Sequence, residues 1–334
     1  MVFVFWPGVQ HFQGEEGHDL FREREEMIYL CILQFPRRPG SFDFRWKSLH
    51  GTLAFRTMAA PVFEMENVSV QRNGRKILDG INLSVERDQH WVILGGNGSG
   101  KTSLLNVLMG YLTPTTGEVH MRGREDAVNS ASQSWDDWRK RIGFVSSSIS
   151  QLIDPQETAI DIVLSGRHAM VNYWQKSDDL NEWKAAEKTL EKVNCGYLRD
   201  QSWATMSQGE RQRVLIGRAL MAQRMEMLVL DEPCAGLDPV AREHFLNFIE
   251  ELTQKGTFRS LLLVTHHVEE IIPAITHALV LQDGIMISQG EKRRALNSLS
   301  LSAAFGAELK LRSRLGRYRL YFDDEFVPEG GQIV

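Results

Sequence analysis

The chain is 334 residues long and 43% hydrophobic, which is enough for one large domain or two smaller domains with buried cores. Its formal net charge of -5 gives no overall attraction to nucleic acid or acidic membranes, so nucleic acid is not an expected partner. Cys31, Cys195 and Cys234 lie far apart without metal-ligand spacing. This excludes a disulfide framework and a zinc site, and it favours a cytoplasmic protein.

The first 57 residues differ in character from the rest of the chain. They contain acidic stretches such as "REREE", which a transit peptide lacks. Their longest apolar run, Met27 to Leu33, is far shorter than the roughly 20 residues that a membrane-spanning helix needs. Two interpretations stay open for residues 1–57: an over-extended reading frame with translation starting at Met58, or a genuine, poorly ordered extension.

Strand patterns begin after Met58 and later alternate with helical patterns. The apolar and alternating runs predict strands over 63–70, 77–85, 90–95, 141–145, 227–231, 261–265 and 278–282. Because helices alternate with the later strands, the pattern favours an α/β fold with a mostly parallel sheet.

The stretch "LGGNGSGKTS" predicts a phosphate-binding loop. Two glycines separated by four residues are followed by lysine and threonine, between an apolar strand and a helical pattern. Such glycines let the backbone point its N–H groups at phosphate oxygens, while Lys101 reaches the terminal phosphates and the Thr102 hydroxyl holds Mg²⁺. The predicted nucleotide-binding residues are Gly95, Gly96, Asn97, Gly98, Ser99, Gly100, Lys101, Thr102 and Ser103.

A segment without strand signals follows, from about residue 148 to residue 205. Its stretches "ETAIDIVLSG" and "NEWKAAEKTLEKV" both have helical periodicity. Trp174, Trp183 and Trp203 lie within it. Core packing is favoured for most of them, although an exposed tryptophan would be a good anchor for a partner.

Two further stretches carry chemistry. The apolar strand in "MEMLVLDEP" ends in Asp231, which is predicted to coordinate Mg²⁺, and Glu232 is predicted to polarise the attacking water. In "MSQGERQRV", Ser207 and Gly209 precede a helical pattern, so their hydroxyl and N–H groups would face an anion.

Four stretches, taken in chain order, resemble those of the ATP-binding cassette (ABC) ATPases, and the resemblance covers about residues 62–290. They are the phosphate-binding loop, "SQGERQR", "LVLDEPCAGLD" and "LLLVTHH". The resemblance implies an α/β P-loop NTPase with a mostly parallel sheet core, an antiparallel β subdomain and a helical subdomain at about 148–205. The cassette would span residues 58–300 and be followed by a tail, 301–334. Mg²⁺-dependent hydrolysis of ATP is the implied activity.

The stretch "MSQGE", which begins at Met206, stands where the family has its LSGGQ signature. The resemblance implies that these residues contact ATP bound to a second copy, because ABC cassettes close head to tail around two nucleotides, so a homodimer is expected. It also places Asp238 at the D-loop and His266 at the switch histidine, which would act in catalysis with Lys101 and Glu232. The signature residues are Ser207, Gln208, Gly209 and Glu210.

Outside the signature, two departures from the family pattern affect the predicted site. Ser147 stands where the family has the Q-loop glutamine, so either this serine acts through a water or Gln151, four residues on, takes the role; Gln151 as an ordinary loop residue is equally open. Arg72 stands in the loop where an aromatic residue usually stacks on adenine. A guanidinium can stack on a base, but a solvated arginine beside Asn73 and Gly74 is an equal alternative.

The tail stretch "ELKLRSRLGRYRLYF" alternates apolar and basic residues and predicts a hairpin that turns near Gly316. Its cations would share one face; they are Lys310, Arg312, Arg314, Arg317 and Arg319. Because "DDE" follows at once and cancels part of the field, a solvated face is favoured over a phosphate-binding one.

Two functions remain open. The first is the ATPase subunit of a transporter whose permease is a separate chain, located at the inner face of the membrane. The second is a soluble ABC ATPase that acts in regulation, stress response, or on nucleic acid or ribosomes. A single cassette without a long heptad insertion or CxxC pairs favours transport. Finer resemblances, of "DIVLSGR" to iron-chelate importers and of "QHWVILGGNGSGKTSLL" to a molybdate-type photorepair branch, imply different ligands.

Overall fold

The computed structural model describes residues 61–121, 134–174, 178–223 and 225–322. The two interpretations of residues 1–57 lie outside these ranges. The strands, in chain order, are β1 (Phe63–Arg72), β2 (Arg75–Val85), β3 (His90–Leu94), β4 (Thr116–Met121), β5 (Ile142–Ser146), β6 (Met227–Asp231), β7 (Ser260–Thr265), β8 (His277–Gln282), β9 (Ile285–Glu291), β10 (Leu309–Arg314) and β11 (Arg317–Phe322).

Most of the helices lie between the strands from β3 onward. The α-helices of the described residues are α1 (Lys101–Leu108), α2 (Trp135–Lys140), α3 (Ser147–Leu152), α4 (Ala159–Ser165), α5 (Leu180–Lys192), α6 (Gln208–Leu220), α7 (Pro239–Gln254), α8 (Lys292–Ala295) and α9 (Ser298–Phe305). Short 3₁₀ helices span Gly166–His168, Gly196–Leu198, Trp203–Thr205 and Val268–Glu270.

A six-stranded sheet in the order β5-β6-β7-β3-β8-β9 forms the centre of the fold. The first five strands run parallel, and β9 closes one edge antiparallel to β8. Strands β6 and β7 are buried along nearly their whole length, as expected for continuous apolar runs in a parallel sheet covered on both faces. The predicted mostly parallel sheet is therefore confirmed.

The parallel arrangement places four loops at one edge of this sheet. The phosphate-binding loop follows β3, α3 follows β5, Glu232 follows β6, and His266 follows β7. Because the carboxyl ends of parallel strands meet at the same edge, segments that are distant in sequence converge there.

A second sheet, in the antiparallel order β2-β1-β4, packs on the same core as α1. The indole of Trp138 in α2 is fully buried there and stacks on Phe63, with ring centroids 5.9 Å apart. Its Nε1 donates a hydrogen bond of 2.9 Å to the carbonyl oxygen of Leu108 at the end of α1. Strands β4 and β9 are not predicted from the sequence, whereas the seven predicted strands are all present within two residues of their expected ends.

In the described residues from α3 to the start of α6 (147–174 and 178–208), the regular elements are helices, and an isolated bridge joins Thr158 to Ser202. Its tryptophans differ in environment: Trp203 is buried, Trp183 packs partly buried against the core, and Trp174 is 82% exposed. Core packing therefore holds for two of the three.

Strands β10 and β11 form a hairpin that turns at Leu315 and Gly316. Its register pairs Arg312 with Arg319 and Arg314 with Arg317, so the cations lie on one face as the alternation predicts. The guanidinium of Arg317 forms an ion pair with Glu243 in α7. Helix α9 runs across residue 300, where the sequence interpretation places the start of the tail.

No helix within 61–121, 134–174, 178–223 or 225–322 is long and apolar enough to cross a membrane.

Directly after the end of α4, Gly166 lies close to the backbone of Arg218 in α6. A Cβ atom at this residue would lie 1.9 Å from the carbonyl oxygen of Arg218, although the φ angle of -63° suits any residue. We expect Gly166→Ala to lower the free energy of unfolding by about 1–3 kcal/mol through this overlap alone. Urea unfolding measures the effect.

Gly209→Ala is the matched control, because a Cβ atom at Gly209 would meet nothing within 4 Å. Its free energy of unfolding should be unchanged or raised by up to about 1 kcal/mol, since alanine favours a helix over glycine. Equal destabilisation of the two variants would contradict the packing of α4 on α6.

Candidate functional site

The loop between β3 and α1 has a conformation that glycine alone adopts easily at two positions. Gly98 has φ of 79° and Gly100 has φ of 103°. At Gly100 a Cβ atom would also come within 3.0 Å of the Leu78 side chain. The loop ends at the N-terminus of α1, where the first backbone N–H groups have no intrahelical acceptor and the helix dipole is positive. This loop and helix end form a site for an anion.

Lys101 is buried at the start of α1. Its Nζ donates hydrogen bonds of 2.9 Å and 3.0 Å to the carbonyl oxygens of Gly95 and Gly96, and it lies 3.9 Å from Oε1 of Glu232. Burial lowers the pKa of Lys101, while Glu232 and Asp231 act in the opposite direction. A phosphate group beside this ammonium would supply the negative charge that favours its protonated form.

Asp231 and Thr102 both line one cavity of about 580 Å³. Burial, and then the neighbouring Glu232 carboxylate, raise the pKa of Asp231 to about 6, although Lys101 opposes the shift. A divalent cation would relieve this unfavourable carboxylate. One carboxylate and one hydroxyl beside a phosphate-binding loop is a donor set that suits Mg²⁺, which keeps waters and takes phosphate oxygens as further ligands.

Glu232 has an unusual backbone for a residue with a side chain, with φ of 48°. Its N–H donates to the carbonyl oxygen of Val264 in β7 at 2.8 Å, so the strained turn is held by the sheet. The turn sends the carboxylate toward the next loop, where Oε1 lies 3.0 Å from Nδ1 of His266. The ring of His267 lies 4.0 Å from that of His266. Strain at a carboxylate that is paired with a histidine marks a functional position.

The signature residues line a different cavity, of about 450 Å³, between α6 and α7. Ser207 is the N-cap of α6 and forms a capping box with Glu210. Gly209 and the Ser207 hydroxyl line the cavity, while the Gln208 amide lies beside Gly236. The structure therefore does not bring the signature into the cavity that Thr102 and Asp231 share.

Asp238 is the N-cap of α7, and Pro239 begins the helix. Its Oδ1 accepts hydrogen bonds from the backbone N–H groups of Val240 and Ala241, at 2.8 Å and 2.9 Å. This geometry fixes the loop between Glu232 and α7. The communication role of Asp238 in a dimer stays a prediction.

Neither residue expected to replace the Q-loop glutamine lines the cavity that Thr102 and Asp231 share. Ser147, Ser148 and Gln151 are all exposed on α3, and of these only Ser148 lines the cavity, together with Ser146. Ser146 ends β5 and its hydroxyl accepts from the N–H of Ile149, so Ser146 is also the N-cap of α3, which begins directly after the strand. The helical turn then directs Ser148 toward the cavity.

Arg72 is exposed at the end of β1, directly before the Asn73–Gly74 turn. It lines neither of the two cavities. Its stacking on adenine stays a prediction.

The chain matches the ABC transporter family over residues 78–235. It is 40% identical over 244 residues to the uncharacterized ABC transporter ATP-binding protein YlmA of Bacillus subtilis, which covers 73% of this chain and 90% of that protein. It is 30% identical to the phosphonates import ATP-binding protein PhnC of Bordetella parapertussis, over 72% of this chain and 94% of that one.

A solved structure shares the fold over most of its length. The ADP conformation of MJ1267, an ATP-binding cassette of an ABC transporter, superposes with a TM-score of 0.62 at 26% identity. The match covers 74% of this chain and 97% of MJ1267. The part of the chain that matches is thus nearly a whole cassette.

The raised pKa of Asp231 predicts a pH-dependent stability in metal-free protein. The ionised carboxylate is less favourable in the folded than in the unfolded state, so this cost is absent below pH 4, grows as the pH rises to about 6 and is constant above. Asp231→Asn removes the charge. In EDTA we expect the variant to be more stable than the wild type at pH 8, by about 1–2 kcal/mol, with the difference shrinking toward pH 4.5.

Urea midpoints at several pH values measure this difference. Asp178→Asn, at an exposed position, is the control and should show no such trend. A difference between Asp231→Asn and wild type that is the same at every pH would contradict the environment assigned to this carboxylate.

Proposed function

Because the chain belongs to the ATP-binding proteins of ABC transporters, we propose that it hydrolyses ATP as the subunit that powers a separate membrane permease. The observation that carries this is the convergence of three loops at one edge of the parallel sheet. They bring a buried lysine, a carboxylate with a raised pKa and a carboxylate–histidine pair to the phosphate-binding loop.

Each residue has a distinct part in the reaction. The loop amides and Lys101 bind the β- and γ-phosphates, and Thr102 and Asp231 would hold Mg²⁺, which neutralises phosphate charge when bound. Glu232 accepts the proton of the water that attacks the γ-phosphorus. His266, 3.0 Å from this carboxylate, holds it in place. Catalysis is then mainly positioning and stabilisation of charge.

The signature supports a dimer with two nucleotides between its subunits. Ser207 and Gly209 open onto a cavity separate from the chain's own phosphate site. Nothing in the described residues demands glycine at position 209, because a Cβ atom there would enter open space. Glycine at this point in a helix lowers its stability, so its absence of a side chain fits close approach by the nucleotide of a second copy.

The permease would dock on the helical segment from the cytoplasmic face of the membrane. Trp174 in this segment is exposed, and Val171, a few residues before it in sequence, lines the 580 Å³ cavity. An exposed tryptophan is a suitable anchor for a partner. This placement makes the chain a peripheral subunit at the inner membrane surface.

Glu232→Gln tests whether the carboxylate is the general base. The amide keeps the size and hydrogen bonding of the side chain but cannot accept a proton, so we expect hydrolysis to fall about 10²- to 10⁴-fold while ATP still binds. ATP should then accumulate in a closed dimer. Gel filtration with ATP and Mg²⁺ should show a dimer for this variant and mostly monomer for nucleotide-free wild type.

Two further changes check the geometry. Adding Ser207→Arg to Glu232→Gln should abolish the dimer, because it places bulk and charge against the partner's nucleotide. Lys101→Ala, made alone in the otherwise wild-type chain, should weaken nucleotide binding. A Glu232→Gln protein that binds ATP but stays monomeric would remove the main support for the sandwich.

Gly209→Ala separates the stability of the subunit from closure of the dimer. In the Glu232→Gln protein the added methyl group should raise the ATP concentration needed for dimerisation, although the monomer is as stable as before or more stable. Thermal unfolding without nucleotide and gel filtration across ATP concentrations measure the two effects. An unchanged ATP dependence would show that nothing approaches Gly209 closely in the dimer.

A further inference from the structure

We propose that Glu210 sets the ATP concentration required for dimer closure, because in the open subunit its carboxylate occupies the groups of Ser207 that would bind the partner's γ-phosphate. The inference rests on the proposed function. Oε2 of Glu210 accepts hydrogen bonds from both donors of Ser207, its N–H at 2.8 Å and its hydroxyl at 2.7 Å. The signature serine is thus already bound to an anion of its own chain.

A serine hydroxyl has one proton to donate. While Oγ donates to Glu210 it cannot donate to a phosphate, and a phosphate that approached Ser207 would also meet the negative carboxylate. The γ-phosphate can therefore bind Ser207 only after Oε2 withdraws. Closure becomes an exchange of one anion for another rather than the filling of an empty site.

Other groups can bind the Glu210 carboxylate once it withdraws from Ser207. Its other oxygen, Oε1, accepts a hydrogen bond of 2.9 Å from the hydroxyl of Tyr197, a contact that does not involve Ser207. Arg213 lies one turn further along α6, and its buried Nε has no hydrogen-bond partner in the described residues. When the carboxylate withdraws from Ser207, it keeps its contact with Tyr197 and its charge moves toward Arg213.

Glu210 also stays ionised under ordinary conditions. The hydrogen bond from the Ser207 hydroxyl is the main cause that lowers its pKa, and Tyr197 and Arg213 act in the same direction. The competing charge is therefore present whenever the protein works near neutral pH.

The family signature, as the resemblance has it, carries a neutral glutamine at this position. A glutamine carbonyl can still accept from the N–H of Ser207 and so preserve much of the helix cap, but it lacks the negative charge. Glu210→Gln is therefore a change of charge at nearly constant shape. It separates competition for the phosphate from simple capping of the helix.

The experiment uses the full chain carrying Glu232→Gln, so that hydrolysis does not deplete the dimer. Sedimentation or gel filtration gives the ATP concentration at which half of the protein is dimeric, at fixed Mg²⁺ and salt. Adding Glu210→Gln should lower this concentration about tenfold, the scale of one charged hydrogen bond. Adding Tyr197→Phe should raise it, because the displaced carboxylate loses its other partner.

Glu251→Gln is the matched control, since Glu251 lines the same cavity but contacts Lys255 rather than Ser207. It should leave the half-dimer concentration unchanged, so a general effect of net charge is separated from the local one. Thermal unfolding of each nucleotide-free variant reports the capping role. If Glu210 only capped the helix, Glu210→Gln and Tyr197→Phe would lower stability and shift closure in the same direction.

The outcomes separate this inference from the function on which it rests. A Glu232→Gln protein that forms no dimer at any ATP concentration overturns both. A Glu232→Gln protein that closes with ATP, but whose ATP dependence is unaltered or raised by Glu210→Gln, overturns the role of Glu210 alone. An equal shift from Glu251→Gln also overturns it.

Discussion

The site depends on the parallel alignment of β3, β6 and β7, which sets a buried ammonium opposite two consecutive carboxylates. Two of these charges are unfavourable in their surroundings, because burial lowers the pKa of Lys101 and raises that of Asp231 to about 6. The backbone at Glu232 is strained as well. The fold therefore holds unfavourable charges and a strained backbone at one edge of the sheet, and a phosphate and a cation together would lower the free energy of this arrangement.

Much of this could be predicted because the chemistry is local in sequence. The spacing of glycines before Lys101 specifies a turn and a helix start, and the apolar run before Asp231 specifies a buried strand with its carboxylate at the end. The parallel sheet follows from alternation of strands and helices. The resemblance implies that His266 and Glu232 act in one site, and the structure pairs them because β6 and β7 are neighbours.

Other features depend on where an element begins or on tertiary contacts. The Q-loop function at Ser147 or Gln151 stays a prediction; what the sequence does not indicate is that α3 starts directly after β5, so that Ser148 lines the cavity. A run of three serines carries no signal for the phase of the helix. Strand β4 has too little apolar character to be recognised alone, since it exists by pairing with β1. The φ angle of Glu232 likewise comes from its bond to β7, not from its own preference.

The subunit pairs the proposed phosphate-binding groups with atoms of its own chain. Lys101 donates to the carbonyl oxygens of its loop, and Ser207 donates to Glu210. Each contact avoids the cost of leaving a buried or terminal donor unpaired. In the dimer that we propose, each contact must be exchanged when nucleotide arrives, so the net free energy of closure is smaller than the sum of the new contacts. Such a subunit would open again after hydrolysis, because its internal partners would replace the phosphate that leaves.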